Sequence, residues 1–206
     1  MEPMKTYLFG RIAVVFLLAG VFLLSRPATA AMIGDSDISY RADRTVVFKG
    51  HRYTGPVWAV PGKQRHEQEI NGLRLVVILR ADTGTAAAIL PDFNVYAVFP
   101  MSSELDRSIL GRPAGHASVD GMPVAKYRLE HTEPDGTGAN GWLWIGPHHI
   151  LVKLDGEYRT ASGTMVPVTA ALSDIRPGPQ DPSLFEIPAN MTALPVDAIA
   201  PFLGFK

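Results

Sequence analysis

The chain has 206 residues, with 19 basic and 20 acidic side chains and no cysteine. This near-neutral charge argues against a nucleic-acid-binding protein, which normally carries a basic excess. The lack of cysteine excludes disulfides, thiolate zinc sites, Fe–S clusters, thiol nucleophiles and lipid attachment to a cysteine. The 19 glycines and 17 prolines are unusually many, and the length fits one domain or a small pair.

Residues 1–30 have the organisation of a secretory signal peptide. Lys5 and Arg11 give a positive start, residues 12–24 are an almost unbroken apolar run, and Ala28 and Ala30 form a small-x-small cleavage pattern. The run is shorter than the roughly 20 residues that span a bilayer, although an uncleaved anchor is the alternative. We therefore expect residues 31–206 to be a single mature domain in the periplasm, without a permanent membrane span.

Glycine and proline punctuate the mature chain at intervals of about 8–12 residues, which is typical of an all-β sandwich or barrel. Turn dipeptides lie between several of the apolar segments: Pro61-Gly62, Asn71-Gly72, Asp120-Gly121 and Asp155-Gly156. The pattern predicts strands near residues 37–49, 52–60, 63–71, 73–81, 85–90, 94–99, 114–120, 122–131, 139–146, 149–155, 157–162 and 164–175.

Helical patterns are sparse and short. Ser103 and the residues up to Gly111 predict a helix of two turns, with an N-terminal cap at Ser102 or Ser103. The tail from Met191 to Leu203 carries apolar residues at helical spacing and predicts a second short amphipathic helix. Neither is long enough to dominate a core.

Two predicted strands are apolar on both faces. In residues 73–80 the odd positions are all apolar and the even positions are apolar in the middle, and in residues 141–146 Trp142 and Trp144 share one face. Strands of this kind are usually covered on both sides. The second covering is either a ligand, a partner or a lipid, or the other layer of a tightly packed two-layer core.

No catalytic motif stands out. Glu67 and Glu69 could form an acid–base pair, but they lie in an alternating charged segment that is typical of a solvated edge or outer face. His148 and His149 are adjacent and follow a proline, so we expect the histidines to lie at the surface or in turns rather than around a metal. The chain has neither a G-x-S-x-G elbow nor a phosphate-binding glycine loop. We predict a protein that is not an enzyme and has no cofactor or metal.

Motifs in both halves of the chain follow a familiar order and spacing. They are Phe48-Lys49-Gly50, Gly55-Pro56-Val57-Trp58, Pro61 to Glu67, Ile78 to Asp82, Leu90-Pro91, Val119-Asp120-Gly121, Ala125 to Arg128, Gly141 to Trp144, Ile150 to Gly156 and Asp181 to Pro188. Over residues 40–190 the chain resembles periplasmic proteins of the outer-membrane lipoprotein-sorting (LolA/LolB-like) fold, closest to a DUF4412-like branch.

The resemblance implies a mainly β, antiparallel, unclosed half-barrel with one or two short helices and an apolar cavity in its concave side. In the lipoprotein carriers that cavity takes acyl chains, and an arginine near the start of the sheet helps to hold a helical lid. Arg65 is the nearest match to that arginine. The carriers also have a substantial N-terminal helix, whereas residues 37–44 here look extended.

The leading hypothesis is therefore a non-catalytic periplasmic binding or carrier protein for a lipid, acyl chain or lipoprotein. The alternative is an envelope protein-interaction module without a small ligand, whose partner is another envelope protein. Arg65 and Arg80, which end or flank apolar strands, are candidates for contacts with a lid or an anionic headgroup. The candidate cavity-wall residues are Trp58, Leu75, Val77, Leu79, Trp142 and Trp144.

Overall fold

The computed structural model describes residues 32–101, 110–132, 136–160 and 162–199. The proposed signal peptide and the predicted helix near residues 102–110 therefore lie outside the described residues, apart from position 110 itself. The strands are β1 Tyr40–Phe48, β2 His51–Val60, β3 Lys63–Ile70, β4 Leu73–Arg80, β5 Thr85–Leu90, β6 Val95–Pro100, β7 Gly115–Val119, β8 Met122–Thr132, β9 Gly138–Ile145, β10 Leu151–Arg159, β11 Met165–Pro177 and β12 Thr192–Ala193. Among the described residues, short 3-10 turns span Pro91–Phe93, Pro147–His149 and Pro182–Phe185, and an α-helix, α1, spans Val196–Ile199.

All twelve described strands form one sheet, in the order β12-β6-β5-β4-β3-β2-β1-β11-β10-β9-β8-β7. The two meanders β1–β6 and β7–β11 join where β11 pairs with β1, and β12 alone pairs in parallel, with β6. The sheet ends at β12 and β7 and does not close on itself. The prediction of a mainly β, antiparallel, unclosed sheet with few helices is confirmed.

The turn chemistry explains most of the chain reversals. Asn71 and Gly72 both have positive φ (53° and 79°), as do Asp120 and Gly121 (48° and 79°), so each pair forms the tight turn that its sequence predicts. Asp155-Gly156 is different, and the turn predicted there is wrong. Gly156 lies inside the continuous strand β10, directly opposite Gly141 of β9.

The C-terminal tail also departs from its prediction. Thr192 and Ala193 form the short strand β12, so the described part of the predicted helix begins at Val196 and α1 spans Val196–Ile199; residues 200–203 lie outside the described residues. The backbone N–H of Thr192 donates to the carbonyl oxygen of Asn94, and that of Leu194 to Tyr96. These bonds to the β6 edge satisfy polar groups that a helix would have satisfied within itself.

Strand β4 shows how both faces of the sheet are covered. Leu75, Val77 and Leu79 belong to the apolar cluster on the concave face, whereas Val76 and Ile78 belong to a cluster on the outer face. The outer cluster is completed by Phe185 and its neighbours Leu184 and Ile187, so the chain's own C-terminal segment covers this side. On the outer face of β4 the chain itself therefore supplies the second covering.

Candidate functional site

The concave face of the sheet contains an apolar cavity of about 90 Å³. Its walls come from the middle of the sheet and from the strands β8–β11 that curve round to face it. The apolar wall residues are Val46, Val57, Leu79, Leu129, Leu143, Leu151, Leu154, Val168, Ala170 and Leu172. Pockets for drug-sized ligands measure about 300–1,000 Å³, so the protein's own side chains already fill most of the concave face.

Two glycines stand opposite each other in the cavity wall. Gly141 of β9 pairs with Gly156 of β10, and both line the cavity. A Cβ added at Gly156 would collide with the carbonyl oxygen of Asn140, and one at Gly141 would lie 2.5 Å from the Cα of Gly156. The two strands therefore approach more closely here than side chains would allow, which is a recurrent reason for glycine inside a strand.

One end of the cavity is polar. Arg44 of β1, 7% exposed, donates from Nη2 to Oε1 of Gln68 at 2.8 Å. His66 Nε2 lies 3.0 Å from Oε1 of Gln64, whose Nε2 donates to the carbonyl oxygen of Gly34 at 2.8 Å. Two buried atoms of this cluster, His66 Nδ1 and Gln68 Nε2, have no hydrogen-bond partner in the part of the chain that the structure describes. We call Arg44, Gln64, His66 and Gln68 the polar cluster.

The polar cluster depends on the alternation within β3. The even positions Gln64, His66 and Gln68 are uncharged polar residues and are buried, whereas the odd positions carry charge and face outward. β3 lies between β2 and β4, with His66 between Val57 and Val77. Of the two alternatives for this segment, the edge is wrong and the outer face holds for its charged odd positions, including Glu67 and Glu69. The expected surface or turn position for His66 is wrong.

Burial sets the electrostatics of this end of the cavity. Desolvation, opposed by the nearby Tyr40, lowers the pKa of Arg44 to about 9, so its guanidinium stays charged at neutral pH. Desolvation, assisted by Arg44, holds the pKa of His66 well below 6.5, and burial raises the pKa of Tyr40. The site thus holds one buried cation and a neutral imidazole.

The neutral imidazole predicts a pH-dependent stability. Below pH 6.5 His66 becomes protonated in the unfolded chain but stays neutral in the folded chain. The free energy of unfolding therefore decreases as the pH is lowered, by up to about 1.4 kcal/mol per pH unit. Among the described residues, Arg44 is the charged group that acts on His66. Urea titrations of His66→Gln between pH 7.5 and 5 should show a shallower slope than wild type.

His116→Gln serves as the matched control, because His116 is exposed on β7. This variant should keep the wild-type pH dependence. Equal slopes for wild type and His66→Gln would show that His66 is not held neutral in the folded state.

Residues 32–36, which precede β1, lie against the cavity and form what we call the cover segment. Met32 and Ile33 are buried in the concave cluster, and both line the cavity with Gly34. Besides the bond from Gln64 to Gly34, the segment is held by Asp35, whose carboxylate accepts the backbone N–H of Gly62 at 2.9 Å. Sequence reasoning missed this segment, since it has no periodic pattern.

The predicted wall residues do not come together at one place. Leu75, Val77 and Leu79 lie on the concave face, and of these Leu79 lines the cavity. Trp58 lies on the opposite face with the cluster that includes Phe185.

The two tryptophans of β9 contact cations. Trp142 contributes to the cavity lining, but its ring lies 4.1 Å from Nζ of Lys126 and 5.1 Å from the guanidinium carbon of Arg128. The ring of Trp144 lies 4.6 Å from Nζ of Lys153. These cation–π contacts account for both rings without a ligand.

Arg65 and Arg80 lie on the outer face, away from the cavity. Arg65 forms an ion pair with Glu67 and donates from Nη1 to the carbonyl oxygen of Leu184 at 2.9 Å. Arg80 forms ion pairs with Asp82 and Glu186. Both arginines therefore join the sheet to the C-terminal segment that covers it.

The described residues contain no group of three or more His, Cys, Asp or Glu side chains that could hold a metal ion. His148 and His149 lie in a 3-10 turn near Asp37, with His148 Nδ1 2.9 Å from the Asp37 carboxylate. Within the part of the chain that the structure covers, no helix has the length and apolar character needed to cross a membrane.

No protein-family model matches the chain, and no curated protein matches it. Among solved structures it is similar to MucB in complex with MucA(peri), with 16% identity and a TM-score of 0.45 over 79% of this chain and 58% of that one. It is also similar to a LolA superfamily protein from Nitrosomonas europaea, with 9% identity and a TM-score of 0.39 over 77% of this chain and 94% of that one. A third is the Mycobacterium tuberculosis lipoprotein LppX, with 14% identity and a TM-score of 0.38 over 86% of this chain and 98% of that one. The chain thus spans less than two thirds of the MucB chain, and the DUF4412-like branch stays a prediction.

Proposed function

We propose that this chain is an exported, non-catalytic binding protein of the bacterial periplasm that holds a lipid or acyl chain against its concave face. Residues 1–30 would act as the export signal and residues 31–206 as a single binding domain. The observation that carries the proposal is the apolar cavity inside an unclosed sheet, with a short non-sheet segment lying against it. Its ligand would enter where Met32 and Ile33 now pack.

The energetics of the cover segment set the size of ligand that can enter. Displacing the buried side chains of Met32 and Ile33 costs about 3–6 kcal/mol, at about 1.5–3 kcal/mol each. Burying an acyl chain returns about 0.8 kcal/mol per CH₂. About four to eight methylenes therefore offset the displacement, and a chain of about twelve carbons exceeds it. The cavity of about 90 Å³ is on this view the closed form of a larger groove.

A smaller side chain in the cover segment should strengthen ligand binding. Ile33→Ala lowers the cost of displacement by about 2 kcal/mol, so a fluorescent fatty acid should bind roughly tenfold or more tighter than to wild type. Fluorescence titration of the purified proteins measures this, and mass spectrometry of the wild-type preparation should detect a bound lipid.

Ile187→Ala is the control, because Ile187 packs on the outer-face cluster rather than in the cavity. It should bind the fatty acid with wild-type affinity. Failure of both wild type and Ile33→Ala to take up the fatty acid would overturn the carrier function.

A second candidate function is an envelope protein-interaction module without a small ligand. Two observations favour it: the concave face is largely filled by the chain's own side chains, and β7 pairs with β8 alone among the described strands. The open edge of β7 could accept a strand from a partner, with main-chain hydrogen bonds giving the affinity. Absence of fatty-acid uptake in the titration above would favour this function over the first.

A further inference from the structure

Arg44 differs from the other buried or half-buried arginines in having no acidic partner among the described residues. Arg41, Arg65 and Arg80 each form an ion pair with a carboxylate two residues further along the chain. Within the described ranges Arg44 contacts no carboxylate, and its guanidinium donates a hydrogen bond to the neutral amide of Gln68. A buried cation without a counter-ion is unfavourable, and proteins rarely keep one without a reason.

The groups beside Arg44 leave one further donor unused. Because the guanidinium donates to Oε1 of Gln68, the amide Nε2 of that residue is turned away from it and has no partner within the described ranges. His66 bonds Gln64 through Nε2, so its neutral ring leaves Nδ1 as an acceptor. Arg44 is the charged member of the polar cluster that lines the cavity, and its guanidinium suits an oxyanion.

The position of Arg44 places its guanidinium in the wall of the apolar cavity. Arg44 lines the cavity together with Leu79, Leu143 and Leu154. A ligand with its chain among these leucines would bring its head to the guanidinium. An isolated ion would leave the apolar wall unused, and an uncharged chain would leave Arg44 without a counter-ion.

We propose that Arg44, held in place by Gln68, binds the compact anionic headgroup of a single-tailed amphiphile whose apolar chain lies in the cavity. The inference rests on the proposed carrier function and names its ligand class. A carboxylate and a phosphate monoester share the required chemistry, since a guanidinium pairs with either through parallel N–H···O bonds. The polar cluster then specifies the head while the cavity accepts the tail.

The test compares four ligands with the same twelve-carbon chain and different heads. Dodecanoate, dodecyl phosphate, dodecanol and dodecylamine are titrated, below their critical micelle concentrations, against a bound fluorescent fatty acid. At least one of the two anions should bind tenfold or more tightly than dodecanol, and dodecylamine should bind most weakly. If dodecanoate binds more tightly than dodecyl phosphate, the natural ligand is a fatty acid, and in the opposite case it is a phosphate ester.

The double variant Arg44→Met/Gln68→Leu should abolish the preference for anions while keeping the affinity for dodecanol. Replacing buried polar partners together by apolar groups is often neutral or stabilising, so its urea midpoint should not fall. Arg65→Met, on the outer face, is the control and should keep the preference.

Equal binding of the anions and dodecanol by wild type would overturn the anionic headgroup while the carrier function stands. This comparison does not depend on the double variant folding. Absence of binding by all four ligands would overturn both proposals, and retention of the preference in the double variant would show that Arg44 does not bind the headgroup.

Discussion

Gly156→Ala should destabilise the protein by about 2–4 kcal/mol, a large loss for a single methyl group. The added Cβ would collide with the carbonyl oxygen of Asn140 on β9, and that contact is with backbone, which cannot rotate away. The strands β9 and β10 would have to separate where Gly156 faces Gly141, in the wall of the cavity. Urea denaturation followed by tryptophan fluorescence measures the loss.

Gly115→Ala provides the matched control for this prediction. Gly115 begins β7, and a Cβ added there would have no atom within 4 Å. The variant should unfold within about 0.5 kcal/mol of wild type, or be slightly more stable because its unfolded chain is less flexible. Wild-type stability in Gly156→Ala would mean that β9 and β10 do not approach as closely as described.

The same glycine shows where the sequence misleads about the fold. The Asn71-Gly72 and Asp120-Gly121 dipeptides form the turns that their sequence predicts, and in both places the chain reverses between two strands. Asp155-Gly156 has the same local chemistry, but its glycine is needed for the approach of a neighbouring strand. A dipeptide cannot distinguish these two uses of glycine, since the second depends on Gly141, a residue fifteen positions away.

The candidate site was less predictable than the strands that form it. The segment from Lys63 to Glu69 contains four charged residues, and these make it resemble an exposed strand although its even positions are uncharged. Separating the two faces would have shown charged residues on one and Gln64, His66 and Gln68 on the other, which is the pattern of a half-buried strand. The partner of this polar face, Arg44, lies on β1 and comes near β3 only through the sheet.

Phe185→Ala should cost about 3–5 kcal/mol, the usual range for truncating a buried phenylalanine. Phe185 is 1% exposed and packs with Val76, Ile78 and Ile89 on the outer face of the sheet. Its 3-10 turn is fixed at the start, because the Asp181 carboxylate accepts the backbone N–H of Ser183. A small shift of the segment therefore cannot fill the space that the ring leaves.

Phe93→Ala removes the same ring from a site that is 45% exposed and should cost under about 1 kcal/mol. The difference between the two phenylalanines measures how far the C-terminal segment covers β4 and β5. In Phe185→Ala, limited proteolysis should also cut the segment near residue 185 sooner than in wild type, although Arg65 still bonds Leu184. Equal losses from the two variants would mean that another group covers the outer face, because a strand such as β4, apolar on both sides, needs a covering there.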